Sequence, residues 1–303
     1  MGKPKRDREV HWSGKAPRLD LPDFEPGTVW LAGAGPGDPG LLTLLTVHGL
    51  SHADIVLHDA LVNEACLGFV RPGAVLEYVG KRGGKCSPKQ GTITQRMIEL
   101  ARRGQRVLRL KGGDPFIFGR GGEEALALAE ARIRFRVLPG VSAGTGGLAY
   151  AGVPITHRSA AQAVTFLTGH GADGRLPNAI DWPSLAKGSP VIVLFMGKRH
   201  LGEVADRLIA GGRNPSEPVV IVENASLGSQ QVLPTTLAEA PRALGAADLS
   251  GPAIICIGPV AAMHETLNWF KADGAQPETA QDGREPEALV TLAAAPKASV
   301  SRS

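Results

Sequence analysis

The chain has few cysteines and no long apolar run, and each absence argues against a class of protein. Its three cysteines, Cys66, Cys86 and Cys256, lie far apart without a C-x-x-C pair, which argues against a disulfide framework and a structural zinc site. No segment approaches the roughly 18 apolar residues of a membrane span, and no apolar core follows the basic N-terminus. We therefore expect a protein of the reducing cytoplasm with no membrane partner.

A strong charge of either sign is also missing. The 303 residues include 33 Lys and Arg against 29 Asp and Glu, and part of the basic excess lies in residues 3–8. Nothing in this balance requires a nucleic-acid partner. H-E-x-x-H, EF-hand and Walker A patterns are absent, so the sequence gives no support for a metal or for nucleoside triphosphate chemistry.

Glycine and proline are abundant, with 39 and 23 residues, as is typical of an α/β protein with many tight turns. Strand-like runs alternate with helical patterns, which predicts parallel βα units. Ile93, Met97 and Leu100 have helical spacing, and further helices are predicted at residues 201–210 and 261–270. The predicted strands are residues 28–32, 54–58, 74–79, 106–110, 135–138, 163–167, 190–196, 218–222 and 253–257.

A glycine- and alanine-rich segment, residues 140–152, separates two series of strands. We predict two α/β domains, residues 28–145 and 146–270, with a ligand cleft between them. Residues 1–27 and 271–303 lack apolar periodicity and are predicted to be flexible extensions.

Residues 111–124 are the most informative segment, because they follow a strand-like run and precede an amphipathic helix. The paired Gly112 and Gly113 let backbone amides approach a ligand, Asp114 supplies a fixed charge, and Pro115 stiffens the turn. A purely structural turn is the simpler alternative, although it rarely needs all of these features. We interpret the segment as a ligand-binding loop.

Residues 35–40 have the G-x-G-x-x-G spacing of a dinucleotide site, and Asp59 ends the second strand where such a fold has its ribose-binding acid. A NAD- or flavin-dependent dehydrogenase is therefore one alternative, and a tight turn without a ligand is another. Against the dehydrogenase, Pro36 and Pro39 lack two amides that a pyrophosphate would need.

Residues 140–144 match the G-x-S-x-G nucleophile elbow around Ser142. A hydrolase would need a downstream acid and histidine, for instance Asp248 and His264, and neither has a supporting motif. A helix start of small residues that packs against a ligand or a neighbouring domain is the favoured interpretation.

Two basic clusters follow predicted elements. Lys81 and Arg82 come after the third strand, at the edge where open α/β sheets build sites, and could bind carboxylates; a solvated turn is the alternative. In residues 150–158, His157 fits a site residue or a hydrogen-bonded packing histidine equally well.

Five segments together resemble the motifs of the tetrapyrrole methylase family: residues 33–43, 79–82, 110–124, 150–158 and 222–224. The resemblance runs from about residue 28 to residue 270. It implies a homodimer that binds S-adenosylmethionine between two α/β domains and methylates uroporphyrinogen III twice, giving precorrin-2 for siroheme and cobalamin. A later corrin precursor as substrate, or a sensor without catalysis, stays open.

By motif, the resemblance implies a role for each of several residues. Asp59 and Lys81 take the positions of proton acceptor and proton donor. Our hypothesis adds three arginines that bind substrate carboxylates: Arg82, Arg120 and Arg158. The implied cofactor contacts are Pro36, Gly112, Gly113, Asp114, Ile117, Ser142, Ala143, Met196 and Ala225. The chain departs from the family pattern at Ala60, where an arginine is typical, and at residues 225–226, where Gly-Thr is usual.

Overall fold

The computed structural model describes residues 19–80, 90–171 and 173–270. The strands in this part of the chain are β1 (Val29–Gly33), β2 (Ile55–His58), β3 (Val75–Tyr78), β4 (Val107–Lys111), β5 (Phe135–Leu138), β6 (Thr165–Thr168), β7 (Ile192–Phe195), β8 (Pro218–Glu223), β9 (Gln231–Thr236) and β10 (Ala253–Ile257). The helices are α1 (Leu44–His52), α2 (Glu64–Leu67), α3 (Gln90–Arg102), α4 (Gly121–Glu130), α5 (Leu148–Tyr150), α6 (Trp182–Gly188), α7 (Leu201–Ala210), α8 (Ala240–Ala246) and α9 (His264–Leu267).

The first sheet is parallel throughout, with strand order β3-β2-β4-β1-β5. All of its strands therefore end at the same edge, as the alternation of strands and helices predicts. Helix α3 buries Ile93, Met97 and Leu100, which confirms the predicted helical face. After α3 the chain turns at Gly104, whose φ of +79° suits glycine.

The second sheet has the order β6-β7-β10-β8-β9 and is mixed. Only β6 and β7 pair in parallel, whereas β10 is antiparallel to both of its neighbours and β9 is antiparallel to β8. The parallel βα pattern thus covers only part of the second half. Because β7 and β8 both oppose β10, they run in the same direction and end at the same edge of the sheet.

Apolar residues cover both faces of each sheet. In β1, Val29 and Leu31 belong to one buried cluster and Trp30 and Ala32 to another, as the alternation of side chains along a strand requires. The second sheet likewise packs between two apolar clusters. Burying a large apolar side chain contributes about 1.5–3 kcal/mol, so these clusters stabilise both sheets.

The glycine-rich segment between the sheets is tightly packed. Residues 143–147 form a single π-helical turn that continues into α5. A Cβ atom on Gly144 would lie 2.6 Å from the Phe195 ring, and one on Gly147 would lie 2.9 Å from the Ala225 Cβ. This close packing agrees with the predicted helix start of small residues.

One predicted helix is wrong in extent. In place of a helix over residues 261–270, the chain forms a 3-10 turn at Pro259–Met263 and then the single turn of α9. The turn begins after Gly258, whose φ of +139° suits glycine.

No helix in the described ranges has the length and apolar character needed to cross a membrane.

Candidate active site

Three glycines at or just after the carboxyl ends of the neighbouring strands β4, β1 and β5 lie against one another. A Cβ atom on Gly140 would lie 2.2 Å from the Gly113 carbonyl oxygen and 2.7 Å from the Gly33 Cα. Gly35 and Gly113 also exchange two backbone hydrogen bonds, of 3.2 and 2.7 Å. Backbone therefore packs directly on backbone in this glycine junction, and a larger side chain has no room at Gly33 or Gly140.

Asp114 fixes the ligand loop through both carboxylate oxygens. Its Oδ1 accepts a hydrogen bond from the Phe116 amide at 2.7 Å, and its Oδ2 accepts one from the Gly140 amide at 3.0 Å. The carboxylate thus ties the loop after β4 to the loop after β5. The fixed charge that the sequence indicated at Asp114 therefore stabilises the two loops by accepting backbone hydrogen bonds.

Several predicted cofactor contacts gather around Gly147. The position of a Cβ atom there is 3.9 Å from the Pro36 Cβ and 3.7 Å from the Ala143 Cβ, and Ala225 is closer still. The Ala143 amide nitrogen in turn lies 3.9 Å from the Cβ position of Gly113. The structure therefore brings Pro36, Gly113, Ala143 and Ala225 together.

Ile117 and Met196 are each next to one member of an aromatic pair. The rings of Phe118 and Phe195 lie with centroids 5.0 Å apart, so the ligand loop and the end of β7 meet. Phe118 and Met196 have φ values of +51° and +54°, which non-glycine residues rarely adopt and which often mark functional sites. Met196 is 49% exposed.

A closed ring of four hydrogen bonds joins the loop after β1 to the loop after β8. The Asp38 amide donates to Ser226 Oγ at 3.0 Å, and the Ser226 amide donates to Gln230 Oε1 at 2.8 Å. Gln230 Nε2 donates to the Tyr150 carbonyl at 3.2 Å, and the Tyr150 hydroxyl donates to Asp38 Oδ2 at 2.9 Å. Burial, together with Asp38, raises the pKa of Tyr150 to about 12. The ring fixes the spacing of Pro36 and Ala225, which flank it in sequence.

Asp59 lies directly after β2 beside three buried charged residues. Arg109 Nη2 donates to Asp59 Oδ2 at 2.9 Å, and Lys111 Nζ is 3.8 Å from the same oxygen. Glu124 of α4 lies on the other side of both cations, 3.2 Å from Arg109 Nε and 3.3 Å from Lys111 Nζ. The sequence interpretation missed Arg109, Lys111 and Glu124; the available signal was a pair of cations inside a strand-like run.

The predicted substrate-binding residues are more dispersed. Lys81 and Arg82 lie outside the described residues. Arg120 precedes α4 with a φ of +60° and forms an exposed ion pair with Glu123, with Nη2 and Oε2 2.6 Å apart. The Arg120 hydrogen bond lowers the pKa of Glu123. Arg158 is exposed on the loop after α5.

The geometry does not support the dehydrogenase alternative. The glycines of residues 35–40 lead into a 3-10 turn at Pro39–Leu41, and α1 begins only at Leu44 with Thr43 as its cap. The α-helix that follows β1 therefore does not start at these glycines, where it could bind a pyrophosphate. Asp59 is also ion-paired with Arg109, which differs from a carboxylate free to bind a ribose.

The hydrolase alternative also lacks its geometry. Ser142 caps the π-helical turn, and its Oγ accepts from the Gly144 amide at 3.3 Å. His264 is buried, and its Nδ1 is hydrogen-bonded to the Ala151 carbonyl. The described hydrogen bonds do not join Ser142 to His264, as a catalytic dyad would require. His157 binds Ser159 Oγ through Nδ1 at 3.0 Å, which fits a packing histidine.

The family model of the tetrapyrrole (corrin/porphyrin) methylases matches residues 28–241. The chain belongs to this family. A tetrapyrrole methylase relative, the uroporphyrinogen-III C-methyltransferase of Sinorhizobium sp., is 59% identical over 252 residues, covering 83% of this chain and 90% of the relative.

Two further relatives of this tetrapyrrole methylase are a longer protein, found by sequence, and a solved crystal structure. Siroheme synthase 1 of Yersinia enterocolitica is 48% identical over 256 residues, and the chain spans about half of that protein, 52%. The crystal structure of uroporphyrin-III C-methyl transferase from Thermus thermophilus, complexed with S-adenyl homocysteine, superposes with a TM-score of 0.68 at 37% identity. That superposition covers 78% of this chain and 99% of the Thermus chain.

Proposed function

We propose that the protein is an S-adenosylmethionine-dependent C-methyltransferase that converts uroporphyrinogen III to precorrin-2 by two methyl transfers. The observation that carries this proposal is the 59% identity to a uroporphyrinogen-III C-methyltransferase over 90% of that relative's length. The Thermus relative, solved with S-adenyl homocysteine, supports the choice of methyl donor. The product would feed siroheme or cobalamin synthesis.

The residues present fit S-adenosylmethionine. The Cβ position of Gly113 has only the Ala143 amide nitrogen near it, at 3.9 Å, whereas Gly112 packs against Leu61; Pro36, Ala143 and Ala225 supply small apolar surfaces around Gly147. We assign these residues as donor contacts together with Asp114, Ile117, Ser142 and Met196. Asp114 acts in this assignment by holding the loop in shape, because both of its carboxylate oxygens accept backbone hydrogen bonds.

Uroporphyrinogen III carries eight carboxylates, so its site needs cations at the edge of the cleft. Arg120 is exposed and paired with Glu123, and Arg158 is exposed on the loop after α5. Arginine is suited to carboxylates because its planar guanidinium donates two parallel hydrogen bonds. We assign Arg82, Arg120 and Arg158 to the substrate carboxylates.

Bound S-adenosylmethionine supplies an electrophilic methyl group with a positive charge on sulfur. Transfer to a ring carbon breaks the carbon–sulfur bond, forms a carbon–carbon bond and moves the positive charge to the ring, which becomes neutral again when it loses a proton. We assign Asp59 as the acceptor of that proton; Lys81 keeps the proton-donor position that the resemblance implies, and the transfer itself only releases a proton. Alignment of reactants can supply about 7–11 kcal/mol, whereas an acid–base residue contributes about 10²- to 10⁴-fold, so the rigid glycine junction carries the larger share.

The proposal includes the organisation of the chain. We propose domains at residues 28–145 and 146–270, each built on one sheet, with the donor held where their strand ends face each other. We also propose that the enzyme is a homodimer of the cytoplasm. In the described ranges, no group of three or more His, Cys, Asp or Glu side chains is arranged to hold a metal ion.

A product assay tests the proposal directly. The protein is incubated with methyl-labelled S-adenosylmethionine and uroporphyrinogen III, and the product is analysed by mass. A gain of two methyl groups is the expected result, with NAD binding as the control for a dehydrogenase. Binding of the donor without any methylated product would instead indicate a sensor.

A further inference from the structure

Three buried charged side chains surround the half-buried Asp59 at the carboxyl end of β2. Arg109 and Lys111 are 2% and 3% exposed and Glu124 is fully buried, whereas 27% of the Asp59 side chain reaches solvent. Burying a charge costs several kcal/mol, and apolar side chains in place of a buried ion pair are often as stable or more stable. Stability of the fold therefore does not account for this charged cluster.

The two cations alternate with leucines along β4. Successive side chains of a strand point to opposite faces, so Arg109 and Lys111 share one face and Leu108 and Leu110 the other. The leucines belong to the apolar cluster that includes Trp30. One face of β4 thus packs the core with both leucines, and the other face packs the core at Val107 and then carries the charged cluster towards the end of the strand.

Arg109 holds Asp59 in a fixed orientation. Its Nε donates to Glu124, and its Nη1 donates to the carbonyls of Leu57 and Leu110 at 3.3 and 3.1 Å. With the planar guanidinium held on these sides, the Nη2 hydrogen bond orients the Asp59 carboxylate through Oδ2. Asp59 Oδ1 has no hydrogen-bond partner among the described residues, so its lone pairs are not already used.

Lys111 stands between two carboxylates. Its Nζ is 3.3 Å from Glu124 Oε2 and 3.8 Å from Asp59 Oδ2. Burial lowers the pKa of Lys111, and the positive charge of Arg109 lowers it further, while the carboxylates of Glu124 and Asp59 oppose this shift. The lysine ammonium therefore lies between both carboxylates, and neutralising Glu124 removes a negative charge that repels the Asp59 carboxylate.

We propose that Arg109, Lys111 and Glu124 are positioning residues that aim the Asp59 carboxylate and set the charge that surrounds it. The inference rests on the proposed function, because it concerns the proton that the methylated ring loses. Two further titratable groups lie close by: His58 on β2, which interacts with Asp59 and Arg109, and Glu64 on α2, which interacts with His58. Both are left unchanged in the experiment below, so their influence stays constant.

The test is the pH dependence of kcat in two variants with opposite expected shifts. Lys111→Met removes a cation near Asp59, so the carboxyl holds its proton more tightly and the acidic limb of the profile moves to higher pH. Glu124→Gln removes an anion, so the limb moves to lower pH. Each variant loses about 10- to 100-fold in kcat through misalignment, while the Kd for S-adenosylmethionine changes by less than about twofold.

Two controls separate positioning from stability. Lys111→Arg keeps the charge and is expected to keep the wild-type limb. Arg213→Met breaks a buried ion pair with Glu217 in the second half, where Nε and Oε2 are 2.6 Å apart, and should lower Tm without moving the limb. The Arg213 variant therefore shows what a purely structural loss looks like.

The possible outcomes distinguish this inference from the proposed function. The positioning role is overturned if the acidic limb of the kcat profile does not move in Lys111→Met and Glu124→Gln. It is also overturned if both limbs move in the same direction. If Lys111→Met does not fold, the acidic limbs of Glu124→Gln and Lys111→Arg are compared instead. A limb at lower pH in Glu124→Gln than in Lys111→Arg supports the positioning role, and equal limbs overturn it. A wild-type protein that makes no doubly methylated product refutes the proposed function itself, whatever the variants do.

Discussion

The central strands of the two sheets differ in the side chains that they bury. β4, in the parallel first sheet, encloses Arg109 and Lys111, whereas β10, in the mixed second sheet, buries only the apolar residues 254–257. All strand ends of the first sheet reach one edge, so polar side chains that follow its strands can converge there. In the second sheet β10 runs against its neighbours, and the predicted contacts after β7 and β8 are the apolar Met196 and Ala225. In our proposal the first half therefore carries Asp59 and Lys81 and most of the donor contacts, and the second half adds Met196 and Ala225.

The largest expected effect comes from the glycine junction. Gly140→Ala would place a methyl group 2.2 Å from the Gly113 carbonyl oxygen, and we expect a loss of about 3 kcal/mol or more in the free energy of unfolding, together with loss of donor binding. Thermal unfolding and calorimetric titration with S-adenosylmethionine measure both. Gly122→Ala is the matched control, since nothing outside its chain neighbours and the backbone of its own helix lies within 4 Å of its Cβ position; wild-type values for both variants would show that the junction is not required.

Asp59→Asn tests the chemistry assigned to the first half. The amide cannot accept the proton, so we expect kcat to fall about 10²- to 10⁴-fold while the Kd for S-adenosylmethionine stays the same. The control is Asp54→Asn at the other end of β2, which breaks a 2.7 Å ion pair with Arg71 and should lower only Tm. Wild-type turnover in Asp59→Asn would remove the base assignment.

Arg120→Ala tests whether substrate carboxylates meet the start of α4. Losing a charge-assisted hydrogen bond of about 1.5–3 kcal/mol should raise the substrate KM about tenfold or more, with little change in donor affinity. Arg132 is a suitable control because it is also exposed, has a φ of +59° and lies beyond the other end of α4. An effect confined to donor affinity contradicts the assignment.

The smallest expected effect is a pH dependence of the stability that comes from the ring of four hydrogen bonds between the two halves. Because folding raises the pKa of Tyr150 from 10.0 to about 12, the stability that this shift contributes is present below pH 10 and is lost as the pH rises through about 12. Denaturant unfolding in this alkaline range should therefore show a steeper loss for the wild type than for Tyr150→Phe. Parallel curves would mean that the hydroxyl does not couple to folding.

Much of the fold is predictable from the sequence, for identifiable reasons. β5 and β10 have the predicted bounds because β-branched and apolar runs stop at turn residues. β9 was missed because Pro234 and polar residues interrupt it; proline is tolerated there since β9 is an edge strand. The antiparallel direction of β10 depends on tertiary packing, which no local pattern records.

The candidate site was predictable where it depends on glycine. Gly112 and Gly113 stand out because close backbone approach needs glycine, whereas Arg109 and Lys111 alternate with leucines and resemble the solvent-facing side of a strand. Their burial follows only once α4 brings Glu124 across from β4. The assigned roles of the site residues stay predictions until the variants are measured.

The hydrogen bond from Asp38 to Ser226 spans 188 positions of the chain. A contact of this separation closes a long loop and so is costly to form early in folding. During synthesis, Pro36 leaves the ribosome long before Ala225, its neighbour across Gly147. In the proposed assignment both residues contact the methyl donor, so a growing chain completes this site only when β8 and the loop after it have been made.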